Sequence, residues 1–158
     1  VYTGLLPISR NEAGLANVLG HEISHAIFKH GNERMSQGLA QQLGGAALTI
    51  AMANKPAQTR DLFMQAYGVG SSVGVLLPFS RKQELEADSY GMRWAAMAGY
   101  NPREAINLWK RMVAQSNQAK PPEFLSTHPS NETRINNLTK WAPEAKAEAA
   151  KFGVTSFQ

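Results

Sequence analysis

The run "VLGHEISHAIFKHG", Val18 to Gly31, places His21, Glu22 and His25 within five residues. At about 100° per residue, the two histidines lie about 40° apart on a helix, one turn from each other on the same face. Two imidazoles so placed can grip one metal ion, and a catalytic zinc adds a third protein ligand and an open position for water. Glu22 falls about 100° round the helix, beside such an ion rather than on it, where a carboxylate can take a proton from water. With four histidines and ten glutamates in 158 residues, composition alone would produce this HExxH spacing in about 0.6% of such chains. The chemistry indicated is metal-assisted hydrolysis.

The chain has no cysteine, so the third ligand must be His, Asp or Glu. His30 lies about 140° from His25, and Phe28 and Gly31 stand where an extended HExxHxxGxxH motif needs Gly and His. His30 therefore reads as a C-terminal residue of the same helix, favoured there by the helix dipole. The run "RKQELEADSYGMRWAAMAG" offers Glu84, Glu86 and Asp88. Glu84 and Asp88 share a face, whereas Glu86 points about 200° away from Glu84. Ala87, Gly91 and Ala95 on the Glu84 side are small, so that helix can come close to the histidine helix. Glu84 is assigned as the ligand, and Asp88 as an acceptor that holds a ligand histidine through its other ring nitrogen.

Elements must position these groups. "VYTGLLPI" reads as a short strand entering a turn. Ser9, with Glu12 three residues on, reads as a capping box opening a helix that runs to about His30. Leu15, Leu19, Ile23 and Ile27 form a stripe opposite the histidines, expected to face a core, and Gly14 leaves space on the histidine side. Further helices are expected over about 34–53, 59–77, 81–98, 102–115 and 131–140, with a short one near 144–151. Asn101 and Pro102 form a helix start after the stop at Gly99.

The expectation is a mainly α fold of α+β zincin-like type, with a short N-terminal β element. At 43% hydrophobic and 18% charged residues, residues 1–158 fit a single domain. The pattern begins abruptly at Val1, as in a chain incomplete at its N-terminus. Net charge is +4, but Lys and Arg are scattered, which argues against a nucleic-acid partner. Leu62 to Phe79 runs 18 residues without charge, the lower limit for a span. Gln65, Ser71, Ser72, Pro78 and three glycines make it read instead as a buried, Gly-broken helix, with no membrane span.

"HEISH" followed by "ELEAD" resembles the HExxH…ExxAD pattern of metallopeptidase family 48, a zincin-like, gluzincin-type family. "VYTGLLPIS-NE--LA-VLGHEISHA" and "GY-P--A" extend the likeness over most of Val1–Leu138. The resemblance implies a zinc endopeptidase with one Zn2+ per chain, ligands His21, His25 and Glu84, Glu22 as general base and Asp88 in support. It also implies protein or peptide substrates, a bacterial envelope and periplasmic setting, and association with other envelope proteins; the unfolded or misfolded kind of substrate is the expectation that strand pairing at Val1–Ile8 would bring. "STHPSNETR" resembles the family's late His-Pro segment with an Arg six residues on, here His128, Pro129 and Arg134. His128 would stabilise the oxyanion or occupy the open metal position, and Arg134 would bind substrate or brace the site. Taken alone, a His before a helix-starting Pro is equally a cap.

Nothing here resembles the multiple spans of the family's membrane-bound members, nor the helical-repeat module of some soluble ones. Two other readings stand beside the enzyme. One is a non-proteolytic, chaperone-like binding module with a blocked or vestigial metal site. The other is the soluble part of a larger membrane protease. In the enzyme, the Val1–Ile8 strand would take substrate as an added strand.

Overall fold

The computed structural model describes residues 3–72, 77–116, 128 and 132–158. A 3-10 turn over Thr3–Leu5 leads into α1 (Leu6–Ser9), followed by α2 (Glu12–Ile27), α3 (His30–Ala51), α4 (Ala57–Ser71), α5 (Leu77–Met97), α6 (Arg103–Ser116) and α7 (Glu132–Ala150). The fold is mainly α. Among the described residues there is no strand.

The expected N-terminal β element is therefore corrected over residues 3–9, and with it the edge on which substrate would pair. Pro7 sits in the first turn of α1, where its missing N–H costs nothing. Leu5 and Ile8, three apart, are buried while Leu6 is exposed, a helical rather than an alternating pattern. Arg111 from α6 donates to the carbonyls of Ile8 at 2.7 Å and Ser9 at 3.1 Å, closing the end of this helix.

The start of α2 differs in detail. Asn11, not Ser9, is the cap: its Oδ1 accepts from the Gly14 N–H at 2.7 Å, while the Ser9 hydroxyl donates back to Leu6 O. The helix stops at Ile27, and Lys29 takes a left-handed backbone, φ 55°. His30 then opens α3 as a buried residue instead of ending α2.

By compactness the chain divides into two units, Val1–Ile27 with Glu84–Gln158, and Phe28–Gln83. The core of the first unit joins Leu5 and Ile8 to Val18 of α2, Met92 and Ala96 of α5, Trp109 and Met112 of α6, and Leu138 and Ala145 of α7. Within it, α2 reverses the expected sides. The buried face carries Ala13, Gly14, Asn17, Val18, Gly20, His21 and Ser24, and Leu19, Ile23 and Ile27 are 42%, 50% and 57% exposed.

The reason is close approach. A Cβ on Gly20 would lie 2.5 Å from the Gly91 carbonyl oxygen, and one on Gly91 would lie 2.5 Å from the His21 nitrogen. The helices meet backbone to backbone through small residues, which brings α5 against the histidine face as the Ala87–Gly91–Ala95 stripe suggested.

Gly99, at φ 88°, terminates α5 in a conformation that suits glycine. Asn101 Oδ1 then accepts from Arg103 N at 3.1 Å. The two expected C-terminal helices are one, with Pro143 inside α7. Proline there removes one helical hydrogen bond, but Leu138, Ala142, Ala145 and Ala149 stay buried along a single face.

The second unit holds α3, α4 and the start of α5. The expectation of a buried helix over 62–79 is overturned for its described part, since α4 buries no residue completely. No described helix is long and apolar enough to cross a membrane.

Candidate metal centre

Four elements of the first unit converge. From α2 come His21 and His25, with Nε2 atoms 3.1 Å apart. Glu84 of α5 places one carboxylate oxygen 3.3 Å from His25 Nε2 and the other 3.5 Å from His21 Nε2. His128, ahead of α7, brings its Nε2 to 4.0 Å from Glu84 and 3.6 Å from Glu22. One ligand atom from each of His21, His25, Glu84 and His128 falls within a 4.8 Å group. Glu86 is not part of it.

Behind this group sits a buried ionic layer. Asp88, one turn after Glu84, lies 3.0 Å from His21 Nδ1, the ring nitrogen on the far side from the cluster. Arg134 of α7, only 2% exposed, donates to Asp88 through Nε at 2.6 Å and a terminal nitrogen at 2.7 Å. Its remaining terminal nitrogen reaches Glu84 at 2.7 Å. The guanidinium carbon lies over Trp109 of α6, 3.6 Å from the ring centroid, and the same indole meets His21 edge-on at 6.2 Å. One cation thus ties two carboxylates to each other and to the core.

Burial alone would push both carboxyls up. Against it, His21, His25 and Arg134 pull the Glu84 pKa well below the ordinary carboxylate value, and Arg134 and His21 do the same to Asp88. Burial opposes charge on His21, but Asp88 and Glu84 outweigh it and raise its pKa above 6.5. For His128 burial prevails over the nearby carboxylates and lowers the pKa.

These directions give a testable pH profile for the metal-free protein. The depressed carboxyls contribute stability that is present above about pH 4 and is lost as pH falls through their folded values. The raised His21 contributes stability that is complete below 6.5 and is lost as pH climbs through its folded pKa. The lowered His128 has the opposite sign below 6.5, so the clear signal lies outside that window. The melting temperature of chelated protein should fall as pH rises beyond 6.5 and as it drops below about 4, and zinc, competing with the proton for His21, should move the optimum upward. A chelated profile flat from about pH 6 to 9 would contradict a charged His21.

The sequence profile of peptidase family M48 matches residues 1–142. The chain belongs to peptidase family M48. The mitochondrial metalloendopeptidase OMA1 of Schizosaccharomyces pombe is 37% identical over 149 residues, which cover 94% of this chain and 42% of that protein. The human metalloendopeptidase OMA1 is 35% identical over 152 residues, 92% of this chain and 29% of its own length. The beta-barrel assembly-enhancing protease of Escherichia coli is 28% identical over 145 residues, 85% and 28% respectively. The chain therefore spans less than half the length of these relatives. No solved structure matches it.

M48 peptidases are zinc-dependent, and the donor set fits that ion. With Zn–N and Zn–O bonds of about 2.0–2.1 Å, a tetrahedral site has ligand–ligand edges of about 3.3 Å. His25 Nε2 lies 3.1 Å from His21 Nε2 and 3.3 Å from one Glu84 oxygen, both near that edge, and one donor atom from each of the three falls within the 4.8 Å group. Two neutral imidazoles and a carboxylate are also the ligand chemistry that zinc takes where no thiolate is available.

Trp109 is the functional neighbour that sequence reasoning missed. In the sequence it is one apolar position among Ala105, Ile106, Leu108 and Met112 on α6, indistinguishable from a core residue. Its contact with Arg134 depends on a helix 25 residues away in the chain.

Proposed function

We propose that this chain is the catalytic region of a zinc-dependent endopeptidase, with residues 1–158 acting as one peptidase domain. The observation that carries this reading is the convergence of donor atoms from His21, His25, Glu84 and His128 within 4.8 Å, with Glu22 3.6 Å from His128. His21, His25 and Glu84 hold the ion. When bound, zinc acidifies a water and polarises the scissile carbonyl.

The rest is done by the protein's own groups. Glu22 accepts the proton from the attacking water and passes it to the departing amine. His128, held neutral by burial, has a ring N–H to donate toward the carbonyl oxygen as charge develops there. Asp88 fixes the ring of His21 through Nδ1, and Arg134 holds Asp88 and Glu84 in register, so its role is bracing.

The substrates are proteins or peptides. The relatives' names point to two settings, the mitochondrion and bacterial β-barrel assembly; the bacterial periplasm with envelope partners is our reading and rests on the sequence resemblance. A non-proteolytic module is not favoured, because the relatives are named as proteases and Glu22 is intact.

The deciding experiment is metal removal. Protein purified without chelator should carry about one zinc per chain by mass spectrometry, and cleave an unfolded protein substrate. Dialysis against a chelator should abolish cleavage, and zinc should restore it. Zinc-free protein that refuses added zinc, or cleavage that survives its removal, would sink the proposal.

A further inference from the structure

The second unit is built inside out. On α3, small and polar residues face α4: the Tyr67 hydroxyl donates to the Gln41 carbonyl at 2.8 Å, and the Gln41 side-chain amide donates to Ser71 Oγ at 2.7 Å. A Cβ on Gly44 would collide with that tyrosine hydroxyl, so glycine is what admits the ring. The opposite side of α3 carries Met35, Leu39, Leu43, Ala46 and Ile50, one helical face. Its four large side chains are 56% to 77% exposed.

The partner helix repeats the arrangement. Met64, Tyr67, Gly68 and Ser71 of α4 are its partly buried side, whereas Leu62, Phe63 and Val69 are 50% to 66% exposed. In water, burial of apolar area would favour the reverse, with the large side chains between the helices. Small residues and polar hydrogen bonds between helices, with large apolar groups outward, is the pattern of helices surrounded by hydrocarbon.

Charge adds a second, independent observation. Residues 28–83 hold six Lys and Arg against two acids, so the chain's whole formal +4 lies in this unit, and the other unit balances at ten and ten. Met35–Asn54 and Leu62–Ser80 carry no charge at all. Lys29 and Arg34 precede the first run, Lys55 and Arg60 lie between the two, and Arg81 and Lys82 follow the second. Yet no described helix has the length and hydropathy to span a bilayer. Basic groups bracketing apolar helix faces, with too little hydrophobicity to cross, are the mark of a segment that lies in a membrane interface.

We propose that the α3–α4 hairpin lodges at the headgroup–acyl boundary of an anionic membrane. The outward faces of α3 and α4 meet lipid chains, while Lys55, Arg60, Arg81 and Lys82 meet lipid phosphates. One protein partner would cover one of these outward faces; lipid surrounds both. Docking does not depend on the peptidase reading and is measured without activity.

The test is vesicle flotation of the purified protein, with neutral phosphatidylcholine vesicles and with 7:3 phosphatidylcholine to phosphatidylglycerol. The protein should float with the anionic vesicles, at least about tenfold more than with the neutral ones, and lose this in high salt. The triple variant Leu39→Gln, Leu43→Gln, Ile50→Gln and the double variant Lys55→Glu, Arg60→Glu should each reduce flotation about tenfold. All five positions face outward or lie at the connection, so circular dichroism and zinc content should match the parent. Absence of flotation, equal flotation on neutral vesicles, or unchanged flotation of the triple variant overturns the proposal. So does self-association in ultracentrifugation that the triple variant abolishes while nothing floats, which would make this face a contact between copies.

Discussion

Glu22→Gln should keep its zinc and lose two to four powers of ten in kcat, roughly the range that a positioned general base contributes. The amide has almost the shape of the carboxylate but cannot accept a proton at neutral pH. None of the three proposed ligands is altered, so metal content by mass spectrometry should stay at the parent level. The Glu22 side chain is partly exposed and its neighbour across the gap is His128 at 3.6 Å, so the substitution leaves no buried charge unpaired and stability should hardly change. Loss of cleavage with zinc retained separates a base from a ligand. Loss of both would move Glu22 into the metal shell, and unchanged cleavage would remove it from the chemistry.

The largest effect on stability should come from Arg134→Leu. Its guanidinium bridges Asp88 and Glu84 and lies over Trp109. Deleting it leaves two buried carboxylates facing each other through one histidine, and removing one member of a buried ionic group costs about 3–5 kcal/mol. For a chain of this size that is a fall in melting temperature of roughly 6–20 °C. Zinc affinity should drop as well, because a bound cation then has to hold Glu84 without the brace.

Arg134→Lys should recover only part of this, since one ammonium cannot serve both carboxylates in the planar fork that arginine offers. The double variant Arg134→Leu, Asp88→Asn should be less destabilised than the sum of its singles, because the second change removes the charge that the first strands. Strict additivity in that cycle, or a melting temperature for Arg134→Leu within about 1 °C of the parent, would mean that the layer is not coupled.

Much of the centre was legible because helix geometry is local. Four residues return a side chain to the same face, so His21 with His25 and Glu84 with Asp88 declare themselves before any tertiary contact is known. The same holds for the Asn101–Pro102 start after Gly99 and for the small residues of α5 that allow close approach. The late His128 and Arg134 came through family resemblance alone. Their own neighbours in sequence read as a capped helix, and the contacts that matter to them are made with α5 and α6.

What spacing cannot tell is which medium each face of a helix meets. The Leu15–Ile27 stripe of α2 has the period of a core face, yet tight backbone packing of Gly20 on Gly91 draws the opposite face inward and leaves Leu19, Ile23 and Ile27 exposed. The hairpin of α3 and α4 repeats the inversion, with Tyr67 over Gly44 inside and Leu39 and Leu43 outside. Residues 3–9 turned helical because Arg111 and the core claim Ile8, not because their own preferences demanded it. The sequence by itself determined the chemical groups and their pairing along each helix, since those follow from backbone repeat. Only the tertiary structure decided which faces met, and so joined Arg134 and Trp109 to the centre, because that choice rests on how closely two backbones can approach.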